Sequence, residues 1–88
     1  MIKFAMGNLC ITRGALEVLS EVDVGAALRW HASGDWGETC EEDSAQNDWA
    51  VENEARIISV YQSQNNVRFW VITEADRSAT TVLLPEEY

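Results

Sequence analysis

The sequence predicts an α+β domain, with two to three short helices packed on a three- to four-stranded antiparallel β-meander. Up to about residue 54, apolar residues recur at three- and four-residue spacing, the period of a helix face. Beyond residue 55, β-branched and aromatic residues gather in runs, the composition of strands. Turn-forming residues separate those runs. At 88 residues there is room for one core. Residues 1–88 are therefore read as a single domain, 1–54 mainly helical with a short N-terminal strand and 55–88 the antiparallel meander.

Each element has its own signal. Ile2, Phe4 and Met6 alternate with Lys3 and Ala5, which reads as an extended start broken by Gly7-Asn8. Thr12 is a suitable N-cap for a helix from about Arg13 to Glu21, where Ala15, Leu16, Leu19 and Val22 form an apolar stripe. Asp23 is expected to cap a second helix carrying Val24, Ala27, Leu28 and His31 on one face, and Gly34 to end it. Thr39 with Glu42 has the spacing of a capping box and opens a third helix to about Val51, with Ala45 and Trp49 facing inward.

The strands follow. Arg56–Gln62 and Arg68–Thr73 flank Asn65-Asn66, a hairpin turn because Asn tolerates positive φ. Glu74–Ser78 makes a longer turn before Thr80–Leu84, and Pro85 stops that strand because it has no N–H to donate. In the middle strand, Phe69 and Val71 alternate with Trp70 and Ile72, so both faces are apolar. That predicts cover on both sides, or an oligomer surface.

Fifteen acids against six bases give a net charge of −9. Such a chain lacks the cations that displace counterions from phosphate, and an anionic bilayer repels it. Direct nucleic-acid and membrane partners are therefore not expected. A basic or nucleic-acid-binding protein is the expected partner class. Two cysteines, Cys10 and Cys40, are too few for a disulfide framework, and the N-terminus lacks the long apolar stretch of a signal peptide, so a cytoplasmic location is expected.

Tests for chemistry fail on number or spacing. One His and two Cys fall short of the usual four Cys or His zinc ligands. His31, Asp35 and Cys40 with a further carboxylate could converge, but no spacing demands it, and the acidic run lacks the EF-hand glycine and ligand order. His31 is the sole imidazole, so a nucleophilic scheme must use it, with Asp35 and Cys40 as its companions, while Glu74 and Asp76 beside Arg77 leave a carboxylate-only hydrolase conceivable. Neither a GxSxG elbow nor a phosphate-binding glycine motif is present. No cofactor, metal or catalytic residue is assigned, and no enzymatic activity is expected.

Two segments invite a binding role. Trp36 sits between glycines and acids, in the manner of an exposed aromatic anchor. Glu74, Asp76 and Arg77 share one turn. The chain resembles a family of small bacterial proteins carried on plasmids, phages and integrative elements, labelled plasmid-related protein or type I restriction endonuclease subunit M. The matching stretches are Thr12-x-Gly14-Ala15-Leu16, then Ser33-Gly34-Asp35-Trp36-Gly37-Glu38-x-Cys40-Glu41-Glu42-Asp43, and a tail from Trp70 through Thr73–Ser78 to Leu83–Tyr88. Arg13 stands where that pattern has proline. The resemblance implies a mobile-element setting. A methyltransferase subunit is not expected, because these 88 residues hold neither space for a cofactor fold nor an Asn-Pro-Pro-Tyr-like motif.

These readings converge on a small acidic protein-binding module, with inhibition of a host nucleic-acid-binding or defence protein by acidic mimicry as the leading expectation. The candidate partner-binding residues are Trp36, Glu38, Glu41, Glu42, Asp43, Asp48, Glu74, Asp76 and Arg77, with Glu52 and Glu54 extending the acidic face. The alternative is a homodimeric accessory of plasmid or phage maintenance, associating through Trp70 and Ile72 or through Phe69 and Val71.

Overall fold

The computed structural model describes residues 2–88. Strand β1 (Asn8–Ile11) leads into helices α1 (Arg13–Val18), α2 (Glu21–Ser33) and α3 (Glu41–Asn53). Strands β2 (Ile57–Gln62), β3 (Arg68–Thr73) and β4 (Ala79–Leu83) follow, and a 3₁₀ turn at Pro85–Glu87 ends the chain. The fold is α+β, with the strand order β1-β4-β3-β2 in a single four-stranded sheet. The expected meander forms: β2 pairs antiparallel with β3, and β3 with β4. The expectation of a wholly antiparallel sheet fails at β1, which runs parallel to β4. All four β1 residues are exposed, so the strand has no inside–outside alternation to reveal its partner or direction.

The helices begin where side chains can cap them. The Thr12 hydroxyl accepts from the Ala15 N–H at 3.3 Å, as anticipated, but α1 stops after six residues. Ser20, not Asp23, opens α2: its Oγ accepts from the Asp23 N–H and donates to the Asp23 carboxylate, both at 3.1 Å. The helix ends on Gly34 at φ +87°. The capping box expected at Thr39 does not form. Cys40 takes the extended N-cap position, and the Thr39 hydroxyl pairs with Ser44 Oγ at 2.6 Å. The sequence reading also turned α3 the wrong way. Ala45 and Trp49 face solvent, while Asn47 and Ala50 are buried.

Helices α1 and α2 cover one face of the sheet. Ala15, Leu19 and Ala27 meet Tyr61, Phe69, Val71 and Val82 there. Phe69 and Val71 are buried beneath the helices, so they cannot form an intermolecular patch. On the opposite face Ile72 is buried, and Trp70 packs edge-on against Tyr88 at 5.4 Å between ring centroids. The middle strand is thus covered on both sides, by helices on one and the C-terminal segment on the other. A second cluster of Phe4, Trp36, Ala50 and Ile57 joins α3 to the β2 end of the sheet.

The β2 edge is closed by two devices. Asn47 replaces a neighbouring strand: its Nδ2 donates to the Ile58 carbonyl at 2.7 Å and its Oδ1 accepts from the Ile58 N–H at 3.2 Å. One pleat further on, the Glu38 N–H donates to the Val60 carbonyl at 2.7 Å, and the Val60 N–H to the Trp36 carbonyl at 3.2 Å. Between these lies Gly37 at φ +73°, where an added Cβ would overlap the Val60 carbonyl oxygen. Only glycine permits that approach.

Candidate interaction surface

Burial of Asn47 and Ala50 fixes which side of α3 meets water. At about 100° per residue, Glu41, Glu42, Ala45, Asp48, Trp49 and Glu52 fall on the far side. All six are exposed, Trp49 at 54%. The helix itself carries no Lys or Arg, although Lys3 flanks its Asp48–Glu52 end in a shallow depression. Three of the acids, Glu41, Glu42 and Asp43, sit in the first turn, where the positive end of the helix dipole favours them. The surface is therefore a single-sign acidic face around an exposed indole, built on a helix that Asn47 holds rigidly to the sheet.

The sequence-derived residues have varied placements. Trp36 is not an exposed anchor: it is 6% accessible. Its indole N–H donates to Asp48 Oδ1 at 3.0 Å, so Asp48 helps hold the core as well as charging the surface. Glu38 pairs with Arg68 at 3.1 Å, and Glu74 with Arg56 at 3.2 Å. Asp76 accepts from the Ser78 N–H at 3.0 Å, and its bonds to Ser78 lower its pKa. Arg77 acts within the fold. Its guanidinium donates to the Ala50 and Ala55 carbonyls at 2.9 and 2.8 Å, closing the C-terminal end of α3, and lies over the Phe4 ring. Glu54 holds the left-handed position that ends α3. Glu41, Glu42 and Asp43 share the N-terminal turn of α3, while Glu74, Asp76 and Arg77 lie in the β3–β4 turn.

The feature that sequence reasoning missed is Trp49. A helix whose inward face carries a carboxamide, here Asn47, cannot be oriented by hydrophobicity alone. Beside α3, Asp43 and Gln46 border a cleft of about 300 Å³ floored by Ile58, Val60 and Trp70, with Tyr88 at its rim.

His31, Asp35 and Cys40 do not form one constellation. His31 is fully buried, its Nδ1 2.5 Å from Ser59 Oγ and its Nε2 2.8 Å from Thr73 Oγ1. Thr73 Oγ1 lies 2.7 Å from Thr80 Oγ1, and Thr80 donates to the Met6 carbonyl at 2.6 Å. Each hydroxyl has one proton, which fixes the order. Thr80 gives its proton to Met6, so Thr73 donates to Thr80. His31 Nε2 must then carry a hydrogen for Thr73, and Nδ1 accepts from Ser59. The imidazole is thus the neutral Nε2–H tautomer. Burial lowers its pKa from 6.5 to about 4. Phe4 and Trp36 stand edge-on to the ring at 5.3 and 5.8 Å.

Asp35 and Cys40 are exposed, and the Asp35 carboxylate accepts from the Gly37 N–H at 3.2 Å. Among the described residues no group of three or more His, Cys, Asp and Glu side chains is placed to hold a metal ion, and no helix is long and apolar enough to cross a membrane. Comparisons with protein-family models, with curated proteins and with solved structures each gave no match.

Proposed function

We propose that this chain is an acidic protein-binding module of a mobile genetic element, and that it acts by occupying a basic groove on a host nucleic-acid-binding or defence protein. The observation that carries this reading is the solvent face of α3, where Glu41, Glu42, Asp48 and Glu52 share the exposed side with Trp49. From Glu41 to Glu52 the face extends roughly 16 Å along the helix. Fixed carboxylates at that scale compete with phosphates for Lys and Arg side chains. The indole supplies the desolvated contact that charge alone lacks, because buried Trp side chains dominate interface energetics. The mobile-element setting rests on the resemblance in the sequence.

The test is capture of partners from a bacterial lysate on the immobilised chain, at low and at high salt. Enrichment of basic, nucleic-acid-binding proteins that weakens with salt is expected. A Trp49→Ala variant should reduce capture by roughly tenfold or more, the loss typical of an interface hot spot. The triple variant Glu41→Gln, Glu42→Gln, Glu52→Gln should remove the salt dependence. Capture indifferent to salt and to both variants refutes mimicry.

A further inference from the structure

β1 forms one border of the sheet and is bonded to β4 alone. A parallel strand sends the main-chain groups of successive residues to alternate sides. The Asn8 N–H donates to the Ser78 carbonyl and the Thr12 N–H to the Val82 carbonyl, each at 3.0 Å. Even-numbered residues therefore face β4. Leu9 and Ile11 point their N–H and C=O groups outward, and among the described residues those groups find no partner. The two side chains are 60% and 36% exposed. Their register with Thr80 and Val82 places them on the helix side of the sheet. There Leu9 joins Ile2, Met6, Leu28 and Ala32 around an apolar groove of about 400 Å³, with Arg29 at its margin.

We propose that a second copy of this chain pairs with the β1 edge, strand against strand and antiparallel, giving one continuous sheet across a two-fold axis. Three observations favour a second copy over another occupant. The first is charge. Two chains of −9 repel in most orientations, yet residues 2–16 hold Lys3 and Arg13 and no carboxylate. The paired strands carry no acid of their own, and the Glu87 carboxylate at the end of β1 is already bonded to Thr12 and Gly14. The second is register. One antiparallel alignment satisfies both outward residues of both copies: Leu9 opposite the partner's Ile11, Ile11 opposite the partner's Leu9, and Cys10 opposite the partner's Cys10. It closes about four main-chain hydrogen bonds and sets two Leu–Ile pairs on the groove side. The third is the contrast with β2, where Asn47 and Gly37 already occupy the edge, so growth of the sheet is directed to β1.

Pairing through four residues buries little area, less than roughly 1,200 Å², so the dimer is of the transient class and concentration decides its population. Its two-fold axis lies at the sheet border opposite β2, the strand that α3 adjoins, and leaves both acidic helices free.

Sedimentation of the full chain from micromolar to millimolar concentration should show a monomer–dimer equilibrium. Opposed residues at a non-hydrogen-bonded antiparallel site have Cα atoms about 4.5 Å apart, within the span of a disulfide. In a Cys40→Ser variant, diamide should therefore join two chains through Cys10. Two thiols lose two electrons and two protons, the diamide is reduced to its hydrazine, and a covalent dimer appears on a non-reducing gel. Leu9→Lys with Ile11→Lys sets like charges across the pair and should weaken association by roughly tenfold or more. A strict monomer at millimolar concentration overturns the proposal. So does a dimer that ignores the double lysine variant and yields no Cys10 disulfide, which would place the contact elsewhere. The crosslinking arm leaves Leu9 and Ile11 unaltered, so it decides the question even if the double variant misfolds.

Discussion

The two borders of this sheet are managed in opposite ways. At β2 the chain folds back on its own edge: Asn47 answers the main chain of Ile58, and the Trp36–Glu38 segment answers Val60. At β1 nothing among the described residues does so, and uncharged Asn8-Leu9-Cys10-Ile11 meets water with two residues' main-chain groups unpaired. Edges are usually blunted by charge, proline or cover. At the closed border the outward main-chain groups of Ile58 and Val60 are already bonded and offer nothing to a further strand. The open one marks where association costs least. Placing a strand edge in contact with the core also couples it to the interior: Ser59, between Ile58 and Val60, turns inward to His31.

The largest test of this contrast is Gly37→Ala. The new methyl would need both a left-handed backbone and the space of the Val60 carbonyl. Those demands together should cost roughly 3–5 kcal/mol, read as a lowered midpoint in urea unfolding. Asn47→Ala should follow at about 2 kcal/mol, since it strands the half-buried N–H and carbonyl of Ile58 at the β2 edge. If both variants unfold like the parent chain, the β2 edge is not sealed in the way described.

The interior beneath that edge responds to pH. The native chain holds His31 neutral down to about pH 4, while the unfolded chain binds a proton below 6.5. Between these values the unfolded state carries more protons, so stability falls as pH falls. The full loss from this group amounts to about 3 kcal/mol and is complete near pH 4. Glu87, lowered chiefly by its bond from the Thr12 hydroxyl, and Asp76, lowered chiefly by Ser78, act in a different window. Their unfolded values are 4.5 and 3.8, so their contributions persist above those values and are lost below them. The slope between pH 6.5 and 5 therefore belongs to His31 and should vanish in a His31→Leu variant, although that variant is less stable throughout. A parent chain with flat stability across that window would mean that His31 titrates normally.

How much of this was readable in advance follows from what a local pattern can encode. β3 was bounded to the residue, Arg68–Thr73, because a dense aromatic and β-branched run leaves no other reading. The apolar character of both its faces left two readings, cover on both sides or an oligomer surface, and Phe69, Val71 and Ile72 are buried within the chain itself. Thr12 and Gly34 were legible as caps, since capping is decided within a few residues. Legibility ended where a residue answers a distant one. Asn47 is buried because Ile58 answers its carboxamide, a pairing no local pattern announces, and the apolar pair Ala45 and Trp49 was turned inward in its place. His31 was read as packed on a helix face. The hydroxyls that fix its tautomer come from three different strands, β2, β3 and β4. The parallel pairing of β1 had no local signature at all.

The smallest expected effect completes the comparison. Leu9→Lys and Ile11→Lys place charge on side chains already in water, and their outward main-chain groups are unchanged. At concentrations low enough to dissociate the proposed dimer, each should alter unfolding free energy by no more than about 0.5 kcal/mol. The matched change at the closed border, Ile57→Lys, buries an unpaired ammonium at a fully inaccessible site and should abolish the fold. The comparison sharpens with concentration. Raising the parent chain to millimolar adds the free energy of association to its apparent stability, while the lysine variants gain nothing. A parent midpoint that rises with concentration while the variants' midpoints stay fixed would tie the open border to self-association by a measurement independent of any crosslink.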